Sequence, residues 1–284
     1  MRTACICAVM VVVASCTQPD SVTTTLAGTS PTTTTSSTTA PLTEACSNPG
    51  AFFEGGTPTF VGSAQSDAGI IGLIEWSVRG EGCEEFTISF QSQEGAPATT
   101  TPLVTAEFVD QLPILRLRLD TPVSVVADQA VETPLVKHLY VVSALSGRTF
   151  IDLHLNGPAR VRVTARDGPA RLVVEFLPGI IPVNTRPIYA ERLVVTRPLE
   201  GSMSTSPVVA TGYARGFADG VLVIATAGTT TLHEQTVPTA ETSTGWAEFR
   251  ATISSPSGPI LIFVGEDPPG PGPLSGVVIP TTVR

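Results

Sequence analysis

Apolar and polar positions alternate with a period of two residues along much of the chain. The segment FTISFQ (86–91) places aromatic and aliphatic side chains on one face and Thr, Ser and Gln on the other. The same alternation recurs in ILRLRLD (114–120), FIDLHLN (150–156), RVRV (160–163) and RLVVEF (171–176), with turn signals rich in Gly, Asn and Pro between the segments. Strict alternation is typical of half-buried strands, so this region predicts an antiparallel sandwich or curved sheet.

A second set of short apolar segments predicts another β unit near the end of the chain. Its seven candidate strands are 193–196, 208–214, 221–227, 231–237, 247–253, 260–266 and 277–283. Seven short strands within about 90 residues are the number expected for an immunoglobulin-like sandwich. No cysteine pair lies in this region, so burial must stabilise it, and the expected large core residues are Phe217, Trp246, Phe249 and Phe263.

The composition supports an all-β chain. Of 284 residues, 25 are Gly and 25 are Pro, and only 14% are charged. Long amphipathic helices need many charged positions and exclude interior Pro, so helices are disfavoured. The formal net charge of −9 argues against nucleic acid as a partner, because nucleic-acid binding depends on neutralising phosphates.

The first residues have the pattern of an export signal. Arg2 supplies a positive charge, residues 4–13 are apolar, and small residues precede Cys16. About ten apolar residues are too few to span a membrane and are typical of a secretory signal. The tetrapeptide VASC (13–16) resembles the lipobox of bacterial lipoproteins, in which the cysteine is acylated. We expect residues 1–15 to be a lipoprotein signal peptide and Cys16 to carry the lipid; the alternative is an ordinary cleaved signal.

The lipid would hold the mature chain on the extracytoplasmic face of the bacterial plasma membrane. Residues 17–44 contain twelve Thr and four Ser and no aromatic residue. Such a segment buries too little apolar surface to offset its ordering entropy. We therefore expect residues 16–45 to form a lipidated, Thr/Ser/Pro-rich disordered linker.

The remaining cysteines form one pair. Cys5 and Cys7 leave with the signal and Cys16 takes the lipid, which leaves Cys46 and Cys83. In an oxidising compartment this pair is expected to form a disulfide. The alternative, a metal site, would need further ligands nearby, and none has suitable spacing.

Two family resemblances extend these predictions. GCEEFTISF, VKHLYVV, RTFIDLHLNGPARVRV and GPARLVVEFLP resemble strand patterns of the AMIN-like domain of actinobacterial envelope lipoproteins. The resemblance implies a β-sandwich at residues 46–179 that is associated with the cell envelope, in several cases through peptidoglycan. It carries no catalytic or binding motif.

After an expected linker at 180–191, the second unit resembles the bacterial immunoglobulin-like domain found beside spore-germination modules. The matching positions are Val195, Pro198, Gly201, Ser206, Pro207, Val208, Gly212, Ala214 and Phe217. The resemblance implies an immunoglobulin-like accessory domain at residues 192–284 with a binding role and no catalysis.

The sequence contains little catalytic chemistry. No hydrolase, metal or phosphate-loop motif is present, and we expect no catalytic residue, metal ligand or cofactor. The alternation places His154 on the same outward face as Asp152, where a carboxylate can orient an imidazole. A solvent-facing contact of little energetic weight is the simpler interpretation.

A stripe of arginines is the best candidate binding feature. Arg116 and Arg118 alternate with leucines, and Arg160 and Arg162 alternate with valines. If the two strands are neighbours, four guanidiniums share one face and fit carboxylates or phosphates. The alternative is that each arginine pairs with a nearby Asp or Glu on a solvated strand. Among aromatic residues able to stack on a sugar, Tyr189 and Tyr213 are the exceptions to simple core packing.

Together these features predict an all-β, lipid-anchored, non-enzymatic envelope protein. Its expected function is to bind or scaffold a cell-wall polymer such as peptidoglycan, or an envelope protein. Two alternatives stay open: an envelope glycan hydrolase with a dispersed site, and a purely structural presenter in a protein assembly.

Overall fold

Alternating and β-branched segments form strands throughout the part of the chain that the computed structural model describes. These residues are 46, 52–79, 82–120, 128–180, 185–217, 219–240, 245–266 and 274–284. They all belong to one compact unit, Pro41–Arg284. The predicted signal peptide at 1–15 and the predicted lipidated linker at 16–45, which includes Cys16, lie outside the described residues.

The described residues form strands and no α-helix, so the all-β prediction is confirmed. The strands of the first half are β1 (Thr59–Val61), β2 (Ile70–Arg79), β3 (Cys83–Gln91), β4 (Val104–Phe108), β5 (Ile114–Leu119), β6 (Asp128–Ala130), β7 (Val136–Ser143), β8 (Thr149–Leu155), β9 (Ala159–Arg166) and β10 (Arg171–Pro178). Those of the second half are β11 (Ile188–Ala190), β12 (Leu193–Arg197), β13 (Met203–Ser204), β14 (Val208–Arg215), β15 (Val221–Ala227), β16 (Thr230–Val237), β17 (Trp246–Ile253), β18 (Gly258–Glu266) and β19 (Ser275–Val283).

The strands assemble into three sheets. A ten-stranded sheet has the order β1-β4-β5-β8-β7-β17-β14-β12-β11, with β6 paired to β7. A four-stranded sheet has the order β2-β3-β10-β9, and a five-stranded sheet has the order β13-β19-β18-β15-β16. Most neighbours are antiparallel, and the parallel pairs among the described strands are β7 with β17 and β13 with β19.

Two hydrophobic cores lie between these sheets. In the first half, Leu115, Leu117 and Leu119 of β5 share a core with Phe86 and Val161 of the four-stranded sheet. In the second half, one core joins the five-stranded sheet to β12, β14 and β17. Alternate residues of strands such as β3 and β5 therefore point into a sandwich core, as the two-residue period predicts.

The ten-stranded sheet continues through both predicted β units. Strands β7 and β17 pair through Trp246↔Val142 and Ala247↔Ser143, which joins the two halves edge to edge. Of the predicted linker at 180–191, residues 188–190 form β11, the last strand of this sheet. The two halves thus share one sheet.

A third core covers the opposite face of the shared sheet. It joins residues of β7 and β8 to residues of the second half: Tyr140, Val142, Ala144, Phe150, Val194, Tyr213 and Trp246. Trp246 is therefore buried, as predicted, but in this core and not between the sheets of the second sandwich. Phe263 is only half-buried, because Ile262 and Val264 are the residues of β18 that point inward.

A disulfide and a hydrogen bond fasten the start of the described chain to the four-stranded sheet. The predicted disulfide between Cys46 and Cys83 is confirmed, with the two Cα atoms 6.2 Å apart. The backbone N–H of Cys46 also donates to Oε1 of Glu175 at 3.0 Å.

Candidate functional site

The four predicted arginines do not form one stripe. Strand β5 carries Arg116 and Arg118 and pairs with β4 and β8, whereas β9 carries Arg160 and Arg162 and pairs with β10. The two strands lie in different sheets of the first sandwich, and their apolar residues meet in its core. Because side chains alternate across a strand, the two arginine pairs emerge on opposite outer faces of the sandwich.

Arg116 is buried instead of being available to a ligand. Its Nε and Nη2 donate to the two carboxylate oxygens of Asp152 at 2.7 and 2.6 Å, and its guanidinium lies 4.0 Å from the centre of the Phe150 ring. Burial lowers the pKa of Arg116, but the charge and hydrogen bonds of Asp152 outweigh that effect and raise the pKa overall. This side chain therefore belongs to the interior.

Arg160 and Arg162 lie on the outer face of the four-stranded sheet. Arg162 contacts both oxygens of Glu175 at 2.6 and 2.7 Å, and the hydrogen bond with Glu175 raises the pKa of Arg162. Burial opposes ionisation of Glu175, yet the bonds from Arg162 and the Cys46 amide lower the pKa of this carboxyl. Arg160 lies 3.7 Å from Glu54.

His154 and Asp152 share a face, as predicted, but that face is buried and does not contact solvent. The reason is the curl of the shared sheet: four strands separate β8 from β11, yet Nδ1 of His154 lies 2.7 Å from the Tyr189 hydroxyl. A flat sheet would place these strands roughly 24 Å apart at the usual spacing. Nε2 of His154 contacts the hydroxyl of Tyr213, a fully buried residue.

The imidazole of His154 is held neutral. Burial lowers its pKa well below the ordinary value of 6.5, and the charges of His138, Arg116 and Lys137 act in the same direction. A neutral imidazole has one donor and one acceptor nitrogen, so one tyrosine hydroxyl donates to it and the other accepts from it. Burial also raises the pKa of Tyr189 to about 12 and that of Tyr213 well above 10.0. The group stabilises the interior as a neutral network.

Arg118 is the predicted arginine that lines an open groove. We call this feature the arginine groove; its volume is ≈ 380 Å³, and it is lined by Leu103, Thr105, Arg118, Leu119, Asp120, Ala144, Ser146, Arg148, Thr149 and Phe150. The side chains of Arg118 and Arg148 are 47% and 57% exposed. Arg118 donates through Nε to Glu107 at 2.7 Å, and Arg148 contacts Asp120 through Nη1.

An exposed aromatic side chain lies beside the groove. Phe60 on β1 is opposite Thr105 on β4, and Thr105 is opposite Arg118 on β5, so the three residues form a row across the sheet. Phe60 is 65% exposed, which makes it the most exposed aromatic residue among the described large hydrophobic side chains. The row and the groove together offer an aromatic ring, hydroxyl groups and two guanidiniums to one extended ligand.

The sequence did not identify Arg148 and Phe60 as site residues. The available signal was local: Ser146-Gly147 marks a turn directly before the strand that begins at Thr149. Arg148 comes close to Arg118 and Leu119 only because β8 pairs with β5 in this register, and the sequence alone does not show that pairing. Of the two tyrosines singled out for sugar stacking, Tyr213 is fully buried and Tyr189 is 38% exposed.

The described ranges contain neither a metal-ligand cluster nor a membrane-spanning helix. No three His, Cys, Asp or Glu side chains there come together as ligands for a metal ion. None of the described residues belongs to a helix of the length and apolarity that crossing a membrane requires. No protein-family model matches the chain, and no match was found among curated proteins or solved structures.

Proposed function

We propose that this chain is a lipid-anchored, non-enzymatic protein of the bacterial cell envelope that holds an anionic wall polymer through the arginine groove. Peptidoglycan, which carries carboxylates on its peptides and hydroxyls on its sugars, has the chemistry that this groove fits. The observation that carries the proposal is the placement of Arg118 and Arg148, both about half exposed, on one groove of ≈ 380 Å³.

The chemistry of the groove favours carboxylate or phosphate groups. Each guanidinium has five N–H donors in a planar fork. Among the described residues, Glu107 contacts Arg118 through Nε, and Asp120 contacts Arg148 through Nη1. A bound carboxylate would compete with these exposed, weak surface pairs at little energetic cost.

Export and anchoring are supported by the chain's cysteines. VASC at 13–16 supports lipidation of Cys16, and the Cys46–Cys83 disulfide is of the kind that persists in oxidising compartments. The Thr-rich segment between them would let the folded part reach polymer away from the membrane surface.

The proposal is tested by sedimentation of the purified full chain with insoluble peptidoglycan in detergent. The wild-type chain should cosediment at low salt and be released as the ionic strength rises, because attraction between exposed charges is screened. The double variant R118Q/R148Q should lose at least about tenfold in affinity, the equivalent of roughly 1.4 kcal/mol.

The matched control is R166Q/R171Q, which removes two exposed arginines that lie opposite each other on β9 and β10, on the other outer face of the same sandwich. This control should bind like the wild type. Equal binding by the wild type and R118Q/R148Q, or no cosedimentation of the wild type at low salt, would refute the proposal.

A further inference from the structure

A second cavity lies on the first sandwich, separate from the arginine groove. Its volume is ≈ 580 Å³, and it shares none of its lining residues with the groove. Its walls come from the turn between β4 and β5, the end of β8, the segment before β9 and the chain around Glu54. A volume of this size falls in the range of small-molecule sites, roughly 300–1,000 Å³.

The cavity combines an apolar wall with a few polar groups. Phe108, Leu112 and Leu155 form much of the apolar part. The hydroxyl oxygen of Thr185 is shielded from solvent and has no hydrogen-bond partner among the described residues. An apolar surface with a small number of polar groups that point into the same space is typical of a ligand site.

The charged groups on the described lining are carboxylates. Glu54 and Asp110 line the cavity, and its described lining contains no lysine or arginine. The side chain of Asp110 is 77% exposed and contacts Arg197 at 3.0 Å. Glu54 is therefore the more buried of the two acids, with its side chain 16% exposed.

Among the described residues, Glu54 has only long contacts, although its side chain is 16% exposed. Its Oε1 lies 3.7 Å from Nε of Arg160, and its Oε2 accepts from the backbone N–H of Ile180 at 3.4 Å. Charge-assisted N–H···O bonds normally measure about 2.7–2.9 Å. A mostly buried carboxylate whose partners are this distant can accept a further, shorter hydrogen bond from a ligand.

We propose that this cavity binds a protonated primary amine carried on a body the size of a sugar ring or a single amino acid. The ammonium group donates to Glu54, the apolar side of the ligand packs on Phe108 and Leu155, and Thr185 receives or donates one hydrogen bond. This site is independent of wall-polymer binding at the arginine groove, and either activity can be absent without the other.

Saturation-transfer NMR on the full chain in detergent at pH 6 tests the site with two matched pairs of probes. Glucosamine and glucose differ by one amine in place of a hydroxyl, and alaninamide and propionamide differ by the presence of an amine. At pH 6 the amines are protonated. At least one amine should bind more tightly than its neutral partner, by about tenfold or more; glucosamine binding alone indicates a sugar ligand, and alaninamide binding alone indicates a peptide ligand.

Two variants test the location of the site. E54Q keeps the shape of the side chain and should weaken amine binding about tenfold. G157L should abolish it, because a Cβ at Gly157 meets open space at the cavity wall and the residue does not have the left-handed φ that would strain a leucine. E85Q, which alters the Arg79–Glu85 pair on the outer face of the four-stranded sheet, is the control and should bind like the wild type.

The result that overturns the proposal is equal binding of amine and neutral probes, or no binding of either amine. Unchanged amine binding in both E54Q and G157L would also overturn it. R118Q/R148Q should keep its amine binding, because the cavity and the groove share no lining residue, so failure of the wall-polymer proposal and failure of the amine site are measured separately.

Discussion

Two arginines on one strand show how strongly environment decides the role of a residue. Arg116 and Arg118 are two residues apart on β5 and point to the same face. Arg116 is covered by the curled part of the shared sheet and makes a bidentate ion pair with fully buried Asp152. Arg118, two residues further along β5, stays exposed beside Glu107. The first is therefore structural and the second is available for binding.

Replacing Arg116 should destabilise the protein far more than replacing Arg118. R116L leaves the carboxylate of Asp152 buried without its cation, and we expect a loss of about 3–5 kcal/mol in the free energy of unfolding. R118L removes an exposed pair and should change the free energy of unfolding by less than about 1 kcal/mol. Urea denaturation of both variants measures the difference, and equal losses would contradict the assignment of Arg116 to the interior.

His154 should make stability depend on pH. Its folded-state pKa lies well below 6.5, so the unfolded chain takes up a proton first as the pH falls. The stability contributed by neutral His154 is present above pH 6.5 and is lost below it, by up to about 1.4 kcal/mol per pH unit. Urea denaturation between pH 7.5 and 5 measures this slope, and carboxyls with lowered pKa, such as Glu175, titrate below this window.

The control for this slope is H154Q, whose amide also offers one donor and one acceptor to Tyr189 and Tyr213. It should be less stable than the wild type at pH 7.5 but should lose less stability on acidification. Identical slopes for H154Q and the wild type would exclude His154 as the source of the pH dependence.

At the scale of single elements, the sequence predicts strands well where they have one apolar face. The segments at 86–91, 150–156 and 171–176 lie almost entirely within β3, β8 and β10. The long strand β2 (IIGLIEWSVR) lacks strict alternation, because its register with β3 shifts between Ile71 and Ile74. The local pattern could not predict which residues cover the second face of β8. Tyr189 and Tyr213 come from β11 and β14, and these strands meet β8 only because the sheet curls.

The disulfide is the element-scale feature whose removal is simplest to measure. Opening the Cys46–Cys83 loop, a sequence separation of 37, should lower the free energy of unfolding by about 4 kcal/mol through the entropy of the unfolded chain. C46S, C83S and the reduced wild type should all show this loss in urea denaturation. A reduced wild type as stable as the oxidised protein would contradict a stabilising role for the bond.

At the scale of the whole described unit, a shared sheet and a third core join two sandwiches that the sequence presents as separate. Trp246 is central to this connection: it begins β17, pairs with Val142 of β7 and packs edge-on against Tyr140 and Tyr213 at 5.0 and 5.7 Å. The sequence placed Trp246 inside one unit because nothing local marks the partner half. The pairing of β7 with β17 depends on the tertiary fold and not on either strand's own pattern.

We expect the two halves to unfold together. Calorimetry of the wild-type chain should show one transition whose calorimetric and van't Hoff enthalpies agree. W246A removes the aromatic centre of the third core, should cost about 3–5 kcal/mol and should split the transition in two. F263A, at a half-buried position on β18, should keep a single transition. Two transitions in the wild type would show that the halves fold independently.

We infer that the chain works outside the plasma membrane, where a lipid on Cys16 would attach it to the surface on which wall polymer is found. Metabolic labelling of the expressing bacterium with a tagged palmitate measures this directly, followed by separation of membrane and soluble fractions. The wild-type chain should be labelled and remain with the membrane, and C16A should be unlabelled. Equal labelling of the two chains, or a wild-type chain with an intact N-terminus in the cytosol, would contradict the account.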